Sequence, residues 1–250
     1  MKELIELSNL PKHIAVIMDG NGRWAQNQGA ARIFGHRNAI KAVREVTEGS
    51  VEIGVSYLTL YAFSTENWGR PEYEVRALME LLVQSIGNEL PTMMKNNVKL
   101  STIGDIASLP AGCQKTLKQA CETTENNTGL NLILALGYSG KWDILQATKR
   151  MAQEAKDGLL NPADITEHTI NSYLATEERP PVDLMLRTGG DHRISNFLLW
   201  QLAYSELYFY EDLYWPDFRR EHLFEAILSY QKRERRFGKT GDQIKENSAK

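Results

Sequence analysis

Two hydrophobic periods take turns along this chain. Short runs in which most residues are apolar recur at 14–18, 56–63, 98–103, 130–136, 182–186 and 206–210. Runs of that length, bounded by polar or turn residues, read as buried strands. Between them the apolar positions spread to helical spacing. Ile40, Val43, Val46 and Val51 mark one face of a helix over about 33–53, and Leu78, Leu81, Leu82, Ile86 and Leu90 mark another over 74–96. Further helices are predicted over 110–125, 142–157, 167–174 and 223–236, with a short one at 197–202. Asn161-Pro162 and Pro180-Pro181 break the chain without making a linker. Strands that alternate with helices imply a mostly parallel sheet of about six strands covered on both faces. The prediction is an α/β fold in a single domain spanning 1–250, with 1–12 and 238–250 as loose tails.

Composition narrows this picture. The chain has 250 residues, 42% of them hydrophobic and 24% charged, enough for a sizeable core. A net charge of −3 gives no global attraction to nucleic acid, so anion binding must come from local clusters. Cys113 and Cys121 are the two cysteines and lack the neighbours of a zinc site. The first residues are too charged for a signal peptide, and no apolar run reaches the roughly 18 residues of a membrane span. The cytoplasm is therefore the expected compartment.

In parallel sheets ligands collect beyond the C-terminal ends of the strands. Three loops there carry the chemistry. The first strand stops at Asp19, and Gly20 and Gly22 let the backbone turn and present N–H groups to an anion. Asp19 can hold Mg²⁺; Arg23, Arg32, His36 and Arg37 follow. The second loop, 64–70, carries Ser64, Thr65, Glu66, Asn67, Trp68 and Arg70. The third, 187–195, carries Arg187, Arg193 and Ser195 around Gly189-Gly190. Arginine forks suit multidentate phosphate recognition, and this much charge points to diphosphate. A single such arginine is more often a surface residue paired to Asp183, Asp191 or Glu206, but the grouping favours a binding role. The Leu- and Met-rich helix over 74–96 belongs to the core by composition, but starting at this rim it would also wall an apolar cleft running inward.

Taken together the motifs resemble the cis-prenyltransferases. The matching stretches are 13–24 (HIAVIMDGNGRW), Gly35-His36, 62–68 (AFSTENW) with Arg70-Pro71, 183–197 (DLMLRTGGDHRISNF), 203–209 (AYSELYF) and 215–218 (WPDF). They run in family order from residue 13 to about 237. The resemblance implies sequential cis condensation of isopentenyl diphosphate onto farnesyl diphosphate, giving a long polyprenyl diphosphate that is a carrier-lipid precursor for cell-wall synthesis. It also implies Mg²⁺, a homodimer, a deep apolar tunnel, and transient membrane contact for product release. By position, Asp19 is the expected catalytic carboxylate and metal ligand, with Glu206 as a second metal ligand and Asn67 as a candidate for assisting proton removal. Gly20, Asn21, Gly22, Arg23, Arg32, His36 and Arg70 would hold the allylic diphosphate. Arg187, Arg193, Ile194 and Ser195 would hold the isopentenyl one, and Trp24, Ser64, Thr65, Glu66 and Trp68 would line the substrates.

The chain departs from the family pattern at Thr65 (often Ser), Asp191 (usually Glu), and the stretch 136–141 with Lys141 for Arg. Rival readings stay open on the residues alone. A phosphohydrolase of the haloacid-dehalogenase type would need an Asp where Asn21 stands. A non-catalytic subunit would lack Asp19, Arg23 and Arg32. Chain length, and whether Asn67, Asp19 or a diphosphate oxygen takes the proton, are not fixed by these residues.

Overall fold

The structure, a computed structural model, describes residues 1–235. Its centre is a six-stranded, all-parallel sheet in the order β3-β4-β2-β1-β5-β6. The strands are β1 (His13–Ile17), β2 (Tyr57–Ser64), β3 (Lys99–Ile103), β4 (Asn131–Tyr138), β5 (Leu184–Arg187) and β6 (Glu206–Phe209). The helices are α1 (Asn21–Asn27), α2 (Arg32–Ile53), α3 (Glu72–Lys95), α4 (Ala111–Thr124), α5 (Gly140–Lys156), α6 (Glu167–Tyr173) and α7 (Arg220–Gln231). Alternate residues of each strand face opposite sides, and two cores follow. Ile14, Val16, Leu58, Leu60, Leu184 and Leu186 face the core shared with α2, α3, α4 and α7, while Ala15, Ile17, Ile133, Ala135 and Met185 face the other.

The predicted strands and long helices are present, with ends shifted by no more than three residues except that α7 stops at Gln231 rather than 236. Three expectations change. α1 was not foreseen. It packs so tightly on α2 that a Cβ at Gly35 would overlap the Asn21 carbonyl. The helix expected at 197–202 is instead a series of turns, with Ser195, Asn196 and Leu198 at φ of 46°, 59° and 44°. Nor is 1–12 a loose tail. Ile5 is buried, Lys2 reaches Glu52 at 2.6 Å, and the Gln231 amide donates to the carbonyls of Glu6 (2.7 Å) and Asn9 (3.0 Å). The other expected tail, 238–250, lies outside the described residues.

The order of strands fixes where a ligand can sit. The chain leaves β1 toward β2 on one side and leaves β5 toward β6 on the other. The crossover connections thus part company between β1 and β5, opening a crevice past their C-terminal ends. Ile17 is in register with Arg187 there, so Asp19 and the 187–195 loop share one rim.

Candidate active site

Asp19 is the second residue past β1, and its N–H donates to the Ile17 carbonyl at 3.0 Å. Its carbonyl accepts from the Trp215 N–H (3.0 Å) and the Thr188 hydroxyl (2.7 Å), which pins the turn. Gly20 follows at φ 98°, with the Tyr214 ring so close that a Cβ would stand 2.5 Å from it. The Asp19 carboxylate accepts from Gly20 N–H (2.6 Å) and from Arg187 (2.8 Å), and Arg23 lies at 3.3 Å. Partial burial works to raise its pKa. The Arg187 and Gly20 hydrogen bonds and the charges of Arg187 and Arg23 outweigh burial and hold the carboxyl below its ordinary value.

Asp191 ties the arginines of two loops together. It accepts from Arg193 at 2.8 Å, Arg187 at 3.3 Å and Arg23 at 3.4 Å. Arg187 is itself buried, donates to Ser195 Oγ at 2.8 Å, and also contacts the Arg193 carbonyl. Gly189 is packed against Arg23 and Asp19, and its φ of 94° leaves no room for a side chain. Three cations and two carboxylates thus share one small volume, and a diphosphate could displace the carboxylates from the guanidinium forks.

The second loop closes the rim. Ser64 N–H donates to Asn67 Oδ1 at 3.1 Å, so the amide oxygen of Asn67 is already engaged. Thr65 donates to Ser139 (2.8 Å), and Glu66 accepts from Asn196 (2.7 Å), which links this loop to the third. Glu74, buried at the start of α3, holds Arg70 (3.1 Å) and lies 3.7 Å from Arg32. His36 stands beside them with its Nε2 buried and unpartnered. Burial, reinforced by the charge of Arg70, lowers its pKa to about 4, so it is neutral at pH 7.

Two cavities meet at this rim. One, of about 260 Å³, opens at Asp19, Gly22, Arg32, His36 and Arg70 and runs inward between α2, α3 and the sheet to Met93. Its inner walls are apolar: Val43, Leu60, Leu82, Ile86 and Leu134. The other, about 470 Å³, is polar and shallower, bounded by Ser64, Glu66, Arg187, Ser195 and Asn196. Asp19, Asn67 and Arg70 border both.

Not every expected residue is at the rim. Trp24 stacks on Phe34 (5.8 Å) and donates to Asp217 (2.8 Å). Trp68 packs edge-on against Phe63 at 4.9 Å and is 38% exposed. Ile194 packs on the second core rather than into either cavity. Glu206 lies away from this rim. It opens β6 in register with Leu184, at the far end of the sheet from Asp19, and pairs with Arg233 at 2.9 Å. Within one protomer it does not join Asp19, and no group of three metal-ligating side chains occurs among the described residues. Sequence reasoning gave Asp191 and Glu74 only pairing or helix-start roles and did not foresee Tyr214, whose ring backs Gly20 and lies 5.6 Å from Arg23. An aromatic residue ahead of a Trp-Pro motif carried no signal of that contact.

The chain is similar to known proteins along most of its length. Residues 17–238 match the family model described as "Putative undecaprenyl diphosphate synthase". A ditrans,polycis-undecaprenyl-diphosphate synthase of Pasteurella multocida, named as specific for (2E,6E)-farnesyl diphosphate, is 52% identical over 237 residues, covering 94% of this chain and 98% of that protein. An isoprenyl transferase of Chlorobaculum tepidum is 50% identical over 238 residues, covering 95% and 89%. In structure, lavandulyl diphosphate synthase from Lavandula x intermedia, solved with dimethylallyl diphosphate, superposes with a TM-score of 0.90 at 33% identity, covering 93% of this chain and 100% of that one.

Proposed function

The chain belongs to the undecaprenyl diphosphate synthase family of prenyltransferases, and on that premise we propose that it condenses isopentenyl diphosphate units onto farnesyl diphosphate with cis geometry, giving undecaprenyl diphosphate. One observation carries the reading: a deep apolar cavity and a shallow polar one share Asp19, Asn67 and Arg70 at their junction. An allylic diphosphate with its tail inward and an isopentenyl diphosphate beside it would bring their reacting carbons to that junction.

Each residue has a task in this scheme. Arg32 and Arg70, with the N–H at Gly22 on the turn that Gly20 shapes, bind the allylic diphosphate and neutralise the charge that builds on it as its carbon–oxygen bond breaks. Arg187, Arg193 and Ser195 hold the isopentenyl diphosphate, and Arg23 lies between the two through Asp191 and Asp19. The double bond of isopentenyl diphosphate attacks the allylic carbon, and a proton then leaves its C2. Asn67 has its oxygen committed to Ser64 N–H, so its NH₂ is the free end. It orients a diphosphate oxygen by donating to it, and that oxygen takes the proton.

Mg²⁺ fits this donor set in a particular way. The ion favours one or two carboxylates completed by substrate phosphate and water, and Asp19, held ionised, supplies one carboxylate at the rim. Bound there, Mg²⁺ would add Lewis-acid neutralisation of the departing diphosphate.

The proposal extends to a homodimer, supported by β6 as the edge of the sheet and by Leu145, 51% exposed on α5. It extends also to transient peripheral contact with a membrane, because a long polyprenyl tail leaving the apolar cavity needs an apolar phase to enter. Incubation with labelled isopentenyl diphosphate, farnesyl diphosphate and Mg²⁺, followed by sizing of the products, tests the central claim. Long chains are expected. Shorter chains would revise the product, and no elongation would end the reading.

A further inference from the structure

The inner end of the apolar cavity is closed by a charged pair. Arg44 on α2 donates to Glu89 on α3 through two nitrogens, at 2.5 and 3.1 Å. Glu89 borders the cavity and is 13% exposed, while Arg44 is about half exposed. A separate void of about 30 Å³, edged by Arg44, Thr47, Met93 and Leu132, lies just beyond. Glu89, Met93 and Leu132 border both spaces, so this pair and its neighbours form the partition between them.

The helix carrying Glu89 is weakened at the same place. α3 contains Pro91 within its length. Proline has no N–H, so the carbonyl four residues earlier, at Gly87, loses its helical partner. Gly87 is exposed, and a Cβ there would meet nothing within 4 Å, so packing does not require a glycine. A Gly and a Pro four apart, bracketing Glu89, form a point where the helix can bend. The other ionic approach between α2 and α3, Arg32 to Glu74, lies at the mouth, where a bound diphosphate would compete for Arg32. Arg44–Glu89 then holds the inner seam.

The cavity also calls for such a device. From Glu74 to Glu89 is fifteen residues of helix, about 22 Å, much shorter than eleven isoprene units laid end to end. A growing chain must fold back or part the helices at this end.

Resting on the polyprenyl-synthase reading above, we propose that the Arg44–Glu89 pair, mounted on the Gly87–Pro91 bend of α3, is a clasp that sets product length. While it is closed, the chain meets a polar stop. When it opens, the cavity joins the void behind it and another unit can be accommodated.

The test uses the full chain with labelled isopentenyl diphosphate, farnesyl diphosphate, Mg²⁺ and detergent, with each product reported as a share of total product. Glu89→Gln and Arg44→Gln should each move the most abundant product longer by at least one isoprene unit. The double variant should shift no further than either single, because one clasp is lost in all three. Pro91→Ala, which restores the helical bond, should move the distribution the other way. Glu89→Asp and Arg44→Lys keep the charges and should stay near the parental length, which guards against single variants that fail to fold. Parental or shorter products from the two Gln variants, or additive shifts in the double, overturn the clasp. Unchanged lengths in Pro91→Ala overturn the bend. A parent enzyme that makes no polyprenyl product overturns the functional reading and this inference together, whereas a productive parent beside unresponsive variants overturns this inference alone.

Discussion

At the level of single residues, Asp19 is the point of greatest consequence. Its carboxylate is kept ionised by Arg187, Gly20 N–H and Arg23 against the opposing effect of burial. Asp19→Ala removes the one carboxylate that touches both cavities. It should cut turnover at least about a hundredfold, the scale of one lost charge-stabilising contact. Near-parental turnover at saturating Mg²⁺ would remove Asp19 from the mechanism. The histidines give a second prediction. His13, buried and bonded to Pro180 O and Thr59, and His36 at the rim each have a pKa lowered from 6.5 to about 4 by burial. Between those values the unfolded chain binds protons that the folded protein does not, so stability is full above pH 6.5 and falls as the pH drops toward 4. For His13, which is 1% exposed, the loss is roughly 3 kcal/mol. Urea denaturation across pH 7.5 to about 4 should show the fall, and His13→Gln should flatten it; a flat parental profile would contradict both shifts. Asp19 and the arginines were legible because the strand ends before them are apolar and abrupt. Glu206 was assigned to the metal by resemblance alone, whereas its place at the start of a parallel strand puts it at the end of the sheet away from the rim.

Among the elements, the contact of α1 with α2 does most to shape the rim. Gly35 lies under the Asn21 carbonyl, which brings the first turn of α2, with Arg32 and His36, against the Gly20–Gly22 turn. Gly35→Ala should overpack this contact by about 1–3 kcal/mol. That corresponds to a melting temperature lower by roughly 2–12 °C for a chain of this size. It should also weaken binding of farnesyl diphosphate more than that of isopentenyl diphosphate, since the second pocket is built by other loops. Equal weakening of both would mean the contact is merely structural. α1 escaped sequence reading because its seven residues are mostly polar or small and carry no apolar stripe. The stretch 197–202 misled in the opposite sense. Its apolar residues suit a helix, but Phe197 stacks on Tyr61 at 4.3 Å, and Asn196 accepts from Gly140 N–H (2.6 Å) and Lys141 N–H (2.9 Å). Tertiary contacts there hold left-handed backbone that no local preference would choose. The long helices α2 and α3 were read nearly to their ends, since periodicity over more than five turns leaves little ambiguity.

For the molecule as a whole, the sheet order places a charged rim at one end of an apolar shaft, and that arrangement sets the pace of the reaction. In the proposed scheme, polar loops hold the diphosphates at the surface while the tail lengthens against Leu60, Leu82, Ile86 and Leu134. Each added five-carbon unit, fully buried, stabilises the bound product by roughly 3–4 kcal/mol at about 0.8 kcal/mol per carbon. Chemistry at the rim would gain little from the growing tail, because in that scheme the reacting carbons stay beside Asp19 and Asn67. Release loses progressively, since the whole tail must return to water unless a bilayer or micelle accepts it. Dissociation, rather than bond formation, should then limit multiple turnover. Nonionic detergent or vesicles should raise the steady-state rate several-fold, while the rate of a single turnover measured with excess enzyme should not change. Equal acceleration of both would place the slow step in the chemistry and leave the depth of the shaft without kinetic effect.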